Sequence, residues 1–418
     1  MRRLAVLVVV AVVGCGAVFA SQARAQTFGI ELHNSLMPAS GGMAGVSISR
    51  PQDLQSALNA NPATLTQFRG TQFGFGAGWA EPTYNINQLA PLPLVGVTPY
   101  RAKSGTPGSS TPNIGVTQDL SALGLPVTIG MGLLTNAGLG VDFRGVPQSN
   151  GTSAQYVALD ITNGVGVDLT DRLSMGASVT IGNSYLDGPF TDTGGMVPDY
   201  ALRSALGVNY FVFERTSLGF YWQTRKDFTF QDAAVFPGGV FLPGGAVDVK
   251  FDHPQNFGLG LADNSLLDGR LLLASDVVYK AYSDADFFRA VYVDQWVFQT
   301  GLQYALTPRM RLRLGYAYNT NPMRGPVTSS IGGVTLPDGV PGLRYVQGQF
   351  AAICQNRITA GVGMRDVLPG LDLDVFGGGM FQETDQFAST FATVESYWVG
   401  AGITWRFGRG ACEYGPWR

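Results

Sequence analysis

The residues of this chain that are able to do chemistry are few, and their spacing does not form a catalytic site. The 418-residue sequence has only two histidines, His33 and His253, and neither stands in the spacing of a metal-ligand set. It contains no Gly-x-Ser-x-Gly elbow, no His-Glu-x-x-His and no phosphate-binding loop. The sequence therefore predicts that the chain is not an enzyme and holds no metal or other cofactor.

Two pairs of charged residues are spaced to share one face of a strand. Asp372 and Asp374 stand two residues apart, and Asp276 and Lys280 stand four apart. In a strand each pair points to the same side. Such pairs form wall salt bridges more often than catalytic centres, so we interpret both pairs as structural.

A further set of side chains suits an apolar ligand. The aromatic and large apolar residues expected on inward strand faces are Phe211, Phe213, Tyr221, Phe376, Met380 and Trp398. Apolar pockets with a few polar groups bind such ligands, whereas open water-filled pores use rings of charge. The same residues are equally compatible with packing against a plug. Arg311 and Arg313 offer forked donors for a carboxylate head group.

Strands must position these side chains, because most of the chain alternates between apolar and small or polar residues. In the final run, one face carries Tyr397, Val399, Ala401, Ile403, Trp405 and Phe407, and the other carries Trp398, Gly400, Gly402, Thr404 and Arg406. Successive strand residues point to opposite faces. An apolar outer face and a small or polar inner face, with aromatic residues at the ends, are typical of a transmembrane barrel strand.

The alternation predicts fourteen strands, joined alternately by short turns and by long Gly- and Pro-rich loops. They are expected near 71–80, 113–120, 127–136, 154–168, 173–185, 200–212, 217–230, 248–262, 270–283, 293–306, 310–320, 352–364, 371–382 and 393–407. An even strand number and this asymmetry of connections are typical of outer-membrane barrels. The alternative is a soluble β-sandwich, which also alternates but carries more charge.

Composition favours the membrane reading. Only 14% of residues are charged, against about 25% in ordinary soluble domains, while 56 are glycine. After the N-terminus no apolar run approaches the roughly 20 residues of a spanning helix, and only helices and closed barrels span bilayers. The net charge of -3 offers no basic surface for nucleic acid. The sequence predicts an all-β fold, a 14-stranded antiparallel transmembrane β-barrel.

The two ends of the chain differ from the barrel segment in sequence pattern. Residues 1–25 combine a basic start, an apolar run and an Ala-x-Ala site, which predicts a secretory signal peptide. The alternatives are a membrane anchor helix, for which the run is short, and a lipoprotein signal at Val13-Gly14-Cys15. Residues 26–70 do not alternate and contain a short helix capped by Asp53 or a neighbour. Residues 71–407 form the barrel, and residues 408–418 are a periplasmic tail.

Two cysteines remain in the mature chain, Cys354 and Cys412. The strand order places the first near the outer rim and the second beyond the last strand, on the periplasmic side. Because a disulfide needs Cα atoms within about 7 Å, we expect both thiols to be unpaired.

Several short motifs follow one another along the chain. They are Gly41-Gly42-Met43-Ala44-Gly45-Val46, Ala57-Leu-Asn-Ala-Asn61-Pro62-Ala63-Thr-Leu65, His253-Pro254-Gln-Asn-Phe-Gly-Leu-Gly260, Leu271-Leu-Leu-Ala-Ser-Asp276-Val277-Val-Tyr279, Phe298-Gln-Thr-Gly-Leu-Gln-Tyr304, Leu312-Arg-Leu-Gly-Tyr316-Ala-Tyr318 and Asn321-Pro322. Each motif is weak alone, but their order and the strand number together resemble the FadL/TodX family of outer-membrane channels for hydrophobic compounds. The resemblance covers nearly the whole mature chain, apart from the tail after Phe407.

The resemblance implies a barrel plugged by an N-terminal hatch, here residues 26–70, with Asn61, Pro62 and Ala63 as its turn. It implies uptake of long-chain fatty acids or of aromatic hydrocarbons, with sideways exit through a kinked third strand. Gly130 and Gly132 lie in that strand, where glycine often marks a bulge. They are equally compatible with being ordinary lumen glycines.

These observations leave three function classes open. The first is a passive channel for hydrophobic compounds in the outer membrane, with fatty acids ahead of aromatic hydrocarbons as substrate. The others are a diffusion porin for polar solutes and a structural surface protein. In each case the expected partners are outer-membrane lipid and the barrel assembly machinery, and not nucleic acid.

Overall fold

The computed structural model describes residues 31, 33–188, 196–236, 245–323, 325, 329–331, 334–336 and 340–407. Its main element is an antiparallel barrel. The barrel strands are β1 (Thr71–Gln88), β2 (Ser109–Asp119), β3 (Val127–Asp142), β4 (Ser153–Asp168), β5 (Leu173–Asp187), β6 (Val197–Phe213), β7 (Thr216–Gln223), β8 (Gln255–Leu266), β9 (Leu271–Ala281), β10 (Gln295–Ala305), β11 (Met310–Asn319), β12 (Asn356–Leu368), β13 (Leu371–Phe387) and β14 (Thr390–Phe407).

The barrel closes on itself, and this confirms the predicted fold class. Each strand pairs with its neighbour in the sequence, and β14 pairs with β1 along its whole length, from Phe407 opposite Thr71 to Thr390 opposite Gln88. A short additional strand, Tyr100–Lys103, pairs with the upper end of β1 and lies outside the ring. None of the helices in the described ranges is long and apolar enough to cross a membrane.

The two faces of the wall differ as the alternation predicts. On β14, Tyr397, Val399 and Trp405 are exposed outward, whereas the intervening Gly400 and Gly402 are buried. Exposed apolar residues recur in this way on strands all round the barrel. Because such an apolar band around a closed antiparallel barrel is suited to lipid, the chain is an outer-membrane β-barrel protein.

Two predicted strands, 217–230 and 248–262, are wrong as continuous barrel strands. The regular ladder between β7 and β8 ends at Gln223, and after a break that holds the single bridge of Lys226 with His253 the chain forms a loop hairpin, Thr229–Phe236 with Gly245–Lys250. In the break, the Arg203 side chain donates to the main-chain oxygens of Thr224 and Pro254, both at 2.7 Å. Alternation continues through the hairpin, so periodicity alone does not reveal the interruption.

Helices occupy parts of two predicted loops and of the N-terminal segment. They are α1 (Leu54–Asn59), α2 (Phe288–Val291) and α3 (Pro341–Gln349). Asp53 caps α1 as predicted, because its Oδ1 accepts from the amide of Ser56 at 2.8 Å. The predicted signal peptide and the tail with Cys412 lie outside the described residues.

Candidate ligand-binding lumen

The described part of the N-terminal segment, residues 31 and 33–70, fills the barrel interior. Its amides at Ser47 and Ile48 donate to Asp276 Oδ2 of β9 at 2.6 and 3.0 Å. On another side of the barrel, the amide of Ala44 donates to Thr359 Oγ1 of β12 at 2.8 Å. These contacts define the segment as a hatch held from several sides of the barrel.

The turn at Asn61, Pro62 and Ala63 fastens the hatch to the wall. The Asn61 carboxamide Nδ2 donates to the carbonyl oxygens of Ile48 (2.8 Å) and of Val208 in β6 (3.1 Å). Its Oδ1 accepts from the amide of Ala63 at 3.1 Å and caps the 3₁₀ helix Pro62–Gln67. Asn61 therefore joins two parts of the hatch to the barrel, because its carboxamide has both a donor group and an acceptor oxygen.

Wall glycines allow the hatch backbone to approach closely. A Cβ added to Gly219 would lie 2.5 Å from the Ile48 carbonyl oxygen, and one on Gly301 would lie 2.7 Å from Met43 Cβ. Close contacts with hatch atoms also occur at Gly74, Gly115, Gly130, Gly132, Gly166, Gly260, Gly361 and Gly402, on strands from β1 to β14. We call this set of inner-face glycines the glycine collar.

Gly130 and Gly132 belong to the collar and do not mark the kink. Both keep regular pairing with β2 and β4, and a Cβ on either would lie 3.0 Å from Leu58 of the hatch. The register of β3 shifts further along, between Thr135 and Ala137. The third strand is therefore bulged at Asn136, and of the two interpretations of Gly130 and Gly132 the regular pairing supports lumen glycines.

The predicted inward residues divide into three groups. Tyr221 packs with Ile48 of the hatch, and the Phe376 ring lies where a Cβ of Gly41 would stand, so both contact the plug. Met380 and Trp398 are buried in the large hydrophobic cluster that also contains the aromatic rings described below. Phe211 is half-buried near the C-terminal end of β6.

Phe213 is the exception, because it faces outward with 67% of its surface exposed. The register of β6 against β7 shifts between Phe211 and Phe213. Since a one-residue slip moves a side chain to the other face, the prediction that Phe213 points inward is wrong.

A larger aromatic cluster lies above the hatch and was not predicted from the sequence. Phe251, which directly follows the loop hairpin, is central, with ring centroids 4.6 Å from Tyr156 and 4.5 Å from Phe288 of α2. Phe228, Phe230, Phe287, Phe350, Tyr282 and Tyr292 complete it. These residues come from loops and strand ends, where no period shows which way a side chain points.

Buried charges below this cluster form a partly paired network. Arg203 Nη1 contacts Glu31 Oε1 at 2.5 Å, and His253 Nδ1 lies 3.1 Å from the same oxygen. Burial opposes the charge of Glu31, but Arg203 and then His253 hold its pKa well below the usual value. Burial also lowers the pKa of His253 to about 4, with Lys226 acting in the same direction. His253 is therefore neutral at neutral pH and Glu31 is ionised.

Two buried cations of the wall have no carboxylate partner among the described residues. Lys280 Nζ donates to the main-chain oxygen of Glu31 at 3.3 Å. Arg357 donates from Nη1 to Ser35 Oγ (3.1 Å) and from Nη2 to Asn319 Oδ1 (2.9 Å), while its Nε has no hydrogen-bond partner. Both cations thus hold neutral oxygens beside the N-terminal end of the hatch.

His33 lies in the sequence between the hatch residues that these cations contact. Its Nε2 is buried without a hydrogen-bond partner. Burial lowers the pKa of His33 well below its ordinary value, with Lys280 as the next cause. The region therefore has a surplus of donors and positive charge, which an anionic head group would balance.

The charged pairs singled out in the sequence have different outcomes. Asp374 Oδ1 accepts from Arg313 Nη1 at 2.6 Å, and Asp372 and Asp374 both contact Arg365 Nη1, so this pair forms wall salt bridges as predicted. Asp276 and Lys280 contact different parts of the hatch, and no salt bridge joins them in the described structure.

Arg313 and Arg311 stand away from the aromatic cluster. Arg313 is fully buried, and a Cβ added to Gly42 of the hatch would contact the Cβ of Arg313. Arg311 stands two residues nearer to the turn at the start of β11. Their predicted role as carboxylate receptors stays a prediction, but Arg313 already has Asp374 as its anion.

Known structures share this fold over nearly all of its length. The toluene transporter TodX of Pseudomonas putida superposes with a TM-score of 0.64 at 18% identity, covering 89% of this chain and 98% of TodX. A FadL homologue of Pseudomonas aeruginosa gives 0.67 at 14% identity, covering 91% and 100%. The toluene transporter TbuX of Ralstonia pickettii gives 0.62 at 16% identity, covering 90% and 99%.

Sequence comparison alone finds no relative. No protein-family model and no curated protein matches the chain. The structural similarities confirm the FadL/TodX resemblance at the level of the fold.

Proposed function

We propose that this protein is an outer-membrane channel for passive uptake of hydrophobic compounds, and that long-chain fatty acids are its substrates. Lys280 and Arg357 support this proposal most directly, because both are buried cations without a carboxylate partner among the described residues and both lie below a cluster of aromatic rings. A fatty acid combines the two features that this arrangement recognises, an apolar chain and a carboxylate. The shared fold with a FadL homologue and with toluene transporters supports the coarser part.

Uptake proceeds by apolar burial and needs no cofactor. The aromatic cluster beneath the loops captures the chain, since each buried CH₂ is worth about 0.8 kcal/mol. The head group then reaches Lys280 and Arg357 beside the N-terminal end of the hatch. Sideways exit is favoured by the bulge at Asn136, above which β3 has no pairing with β2.

Aromatic hydrocarbons are the second candidate, because the aromatic cluster would also hold a neutral ring and because two similar structures are toluene transporters. Such ligands give Lys280 and Arg357 no role. A porin for polar solutes is less well supported, since the hatch and the aromatic cluster occupy the barrel interior.

Ligand binding by the purified protein distinguishes these candidates. Oleate and oleyl alcohol share one chain and differ in the charged head group, so Lys280→Met and Arg357→Gln should each weaken oleate binding and spare the alcohol. A charge-assisted hydrogen bond is worth about 1.5–3 kcal/mol, which corresponds to at least a tenfold loss of oleate affinity. Lys250→Met and Arg289→Gln, on exposed loop residues, are the matched controls.

Retained binding of oleyl alcohol shows that a variant is folded. Equal oleate affinity in the wild type and both lumen variants would contradict the fatty-acid proposal. Toluene binding unaffected by any variant, without oleate binding, would favour the hydrocarbon channel.

A further inference from the structure

Three donors of the barrel wall surround the carboxylate of Glu31, which belongs to the hatch. Glu31 Oε1 accepts from Arg203 Nη1 of β6 at 2.5 Å and lies 3.1 Å from Nδ1 of His253, just before β8. Glu31 Oε2 accepts from Asn256 Nδ2 of β8 at 2.6 Å. An ionised carboxylate accepts several hydrogen bonds at once, and those from charged donors are the strongest. We call Arg203, His253 and Asn256 the carboxylate receptor.

The wall orients Arg203 without help from Glu31. Arg203 Nε and Nη2 donate to the main-chain oxygens of Thr224 and Pro254, both at 2.7 Å. These two bonds fix the plane of the guanidinium group and direct Nη1 at the carboxylate. Within the described ranges, Glu31 is the only carboxylate that forms a salt bridge with Arg203. Departure of Glu31 would leave a buried cation unpaired, which is unfavourable until another anion takes its place.

The aromatic cluster ends at this receptor. The ring centroid of His253 lies 5.5 Å from that of Tyr156 and 5.5 Å from that of Phe228. The hydroxyl of Tyr156 contacts His253 Nε2 at 2.5 Å, while Nδ1 of the same ring faces Glu31. A molecule whose apolar chain lay among these rings would therefore bring a terminal carboxylate to the position that the Glu31 carboxylate holds.

Glu31 also contacts one of the cations that we assign to the substrate head group. Its main-chain oxygen accepts from Lys280 Nζ at 3.3 Å, and the residue forms a single β-bridge with Ala137 of β3. A neutral carbonyl oxygen is a weaker partner for an ammonium group than a carboxylate is. Glu31 thus contacts Arg203 with its side chain and Lys280 with its main chain, so its departure frees both cations together.

Exchange of one carboxylate for another keeps the buried charges paired. Lys226, a further cation of the network, has its own partner, because its Nζ contacts both carboxylate oxygens of Asp160 at 2.9 Å. A neutral molecule in place of Glu31 would leave the guanidinium of Arg203 buried without an anion, which is strongly unfavourable. The carboxylate receptor therefore favours anions over neutral molecules of the same shape.

We propose that the Glu31 carboxylate is an internal substitute for the substrate head group, and that a long-chain carboxylate binds by displacing it from the carboxylate receptor. This inference rests on the proposed uptake function and adds a second head-group site, which the protein itself occupies. Because Glu31 is tethered, it competes at a high effective concentration. A short carboxylate does not overcome this competition, whereas a long chain gains affinity from each CH₂ group buried among the aromatic rings.

Small carboxylates test the receptor independently of transport. Glu31→Ala empties the receptor, so acetate should raise the midpoint of heat unfolding of the purified variant at matched ionic strength. Acetamide has the same shape without the charge and should not raise it. Glu214→Ala, at an exposed turn residue, is the matched control and should respond to neither compound. Arg203→Gln added to Glu31→Ala should remove the effect of acetate.

Two results of this experiment would overturn the proposal. The first is an equal midpoint of Glu31→Ala with and without acetate. The second is an effect of acetate that persists after Arg203→Gln is added, because acetate would then act elsewhere.

Oleate binding tests the displacement. Glu31→Gln keeps the shape of the occupant and removes its charge, so it should raise oleate affinity at least tenfold and leave the affinity for oleyl alcohol unchanged. Unchanged or weaker oleate binding by this variant, with oleyl alcohol still bound, would overturn the displacement. Absence of oleate binding by wild type and variant, together with the acetate effect on Glu31→Ala, would count against the proposed function and support the carboxylate receptor.

Discussion

The glycine collar predicts that one methyl group on the wall will unseat the hatch. A Cβ at Gly219 would stand 2.5 Å from the Ile48 carbonyl oxygen and 2.8 Å from Ser49 Cα, both of which are backbone atoms. A backbone cannot rotate away as a side chain can. The hatch must therefore move by about 1 Å to restore ordinary contact distances.

The size of the effect follows from the hydrogen bonds at this point. A 1 Å shift lengthens the bonds from Ser47 and Ile48 to Asp276, which now measure 2.6 and 3.0 Å, and the 2.6 Å contact of Ser49 with Ser217. Overpacking, which includes such backbone shifts, costs about 1–3 kcal/mol, and three lengthened hydrogen bonds at about 1 kcal/mol each account for the upper end of that range. A total of about 3 kcal/mol raises the population of displaced hatch roughly 100-fold.

Single-channel conductance in planar bilayers measures this displacement. Gly219→Ala should conduct far more often than the wild type. Gly379→Ala is the matched control, because its Cβ meets only Ser396 O, at an ordinary 3.6 Å. Heat-dependent mobility on gels shows whether each barrel is folded. Equal conductance of the two folded variants would refute the account of the collar.

Three other changes test the hatch and its surroundings. Asn61→Ala removes the bonds to Ile48 and Val208 and should raise conductance about 30-fold, since two bonds cost about 1 kcal/mol each; wild-type conductance would contradict this. Burial lowers the pKa of His253 to about 4, below its value of about 6.5 in the unfolded state. The free energy of unfolding therefore decreases as the pH falls from about 6.5 toward 4, by up to about 1.4 kcal/mol per pH unit. The unfolding midpoint should drop accordingly, and His253→Gln should flatten that dependence. Buried, unpaired Cys354 should react with a polar maleimide only after heat unfolding, and a reaction that needs prior reduction would show a disulfide.

The barrel was predictable because alternation reports directly on its two environments. In β14, lipid requires apolar residues at Tyr397 and Val399, while the hatch and lumen require small ones at Gly400 and Gly402. The period fails where a strand bulges, as at Phe213. One extra residue there reverses the face without any change in composition.

The site was less predictable because it depends on which segments meet inside the barrel. Lys280 and Arg357 lie on separate strands and are brought together only by closure of the barrel around the N-terminal end of the hatch. Gly130 and Gly132 carried a real signal, but it reported close approach of Leu58 rather than a bend. A glycine in a strand has both meanings, and one sequence does not separate them.

We propose above that this protein admits long-chain fatty acids across the outer membrane. The most direct measurement is uptake of radiolabelled oleate by cells that lack their own outer-membrane fatty-acid channel, with and without this chain. We predict that the chain restores uptake and that Lys280→Met together with Arg357→Gln abolishes it. Uptake no greater than in cells without the chain, with the folded barrel present in the outer membrane, would contradict it.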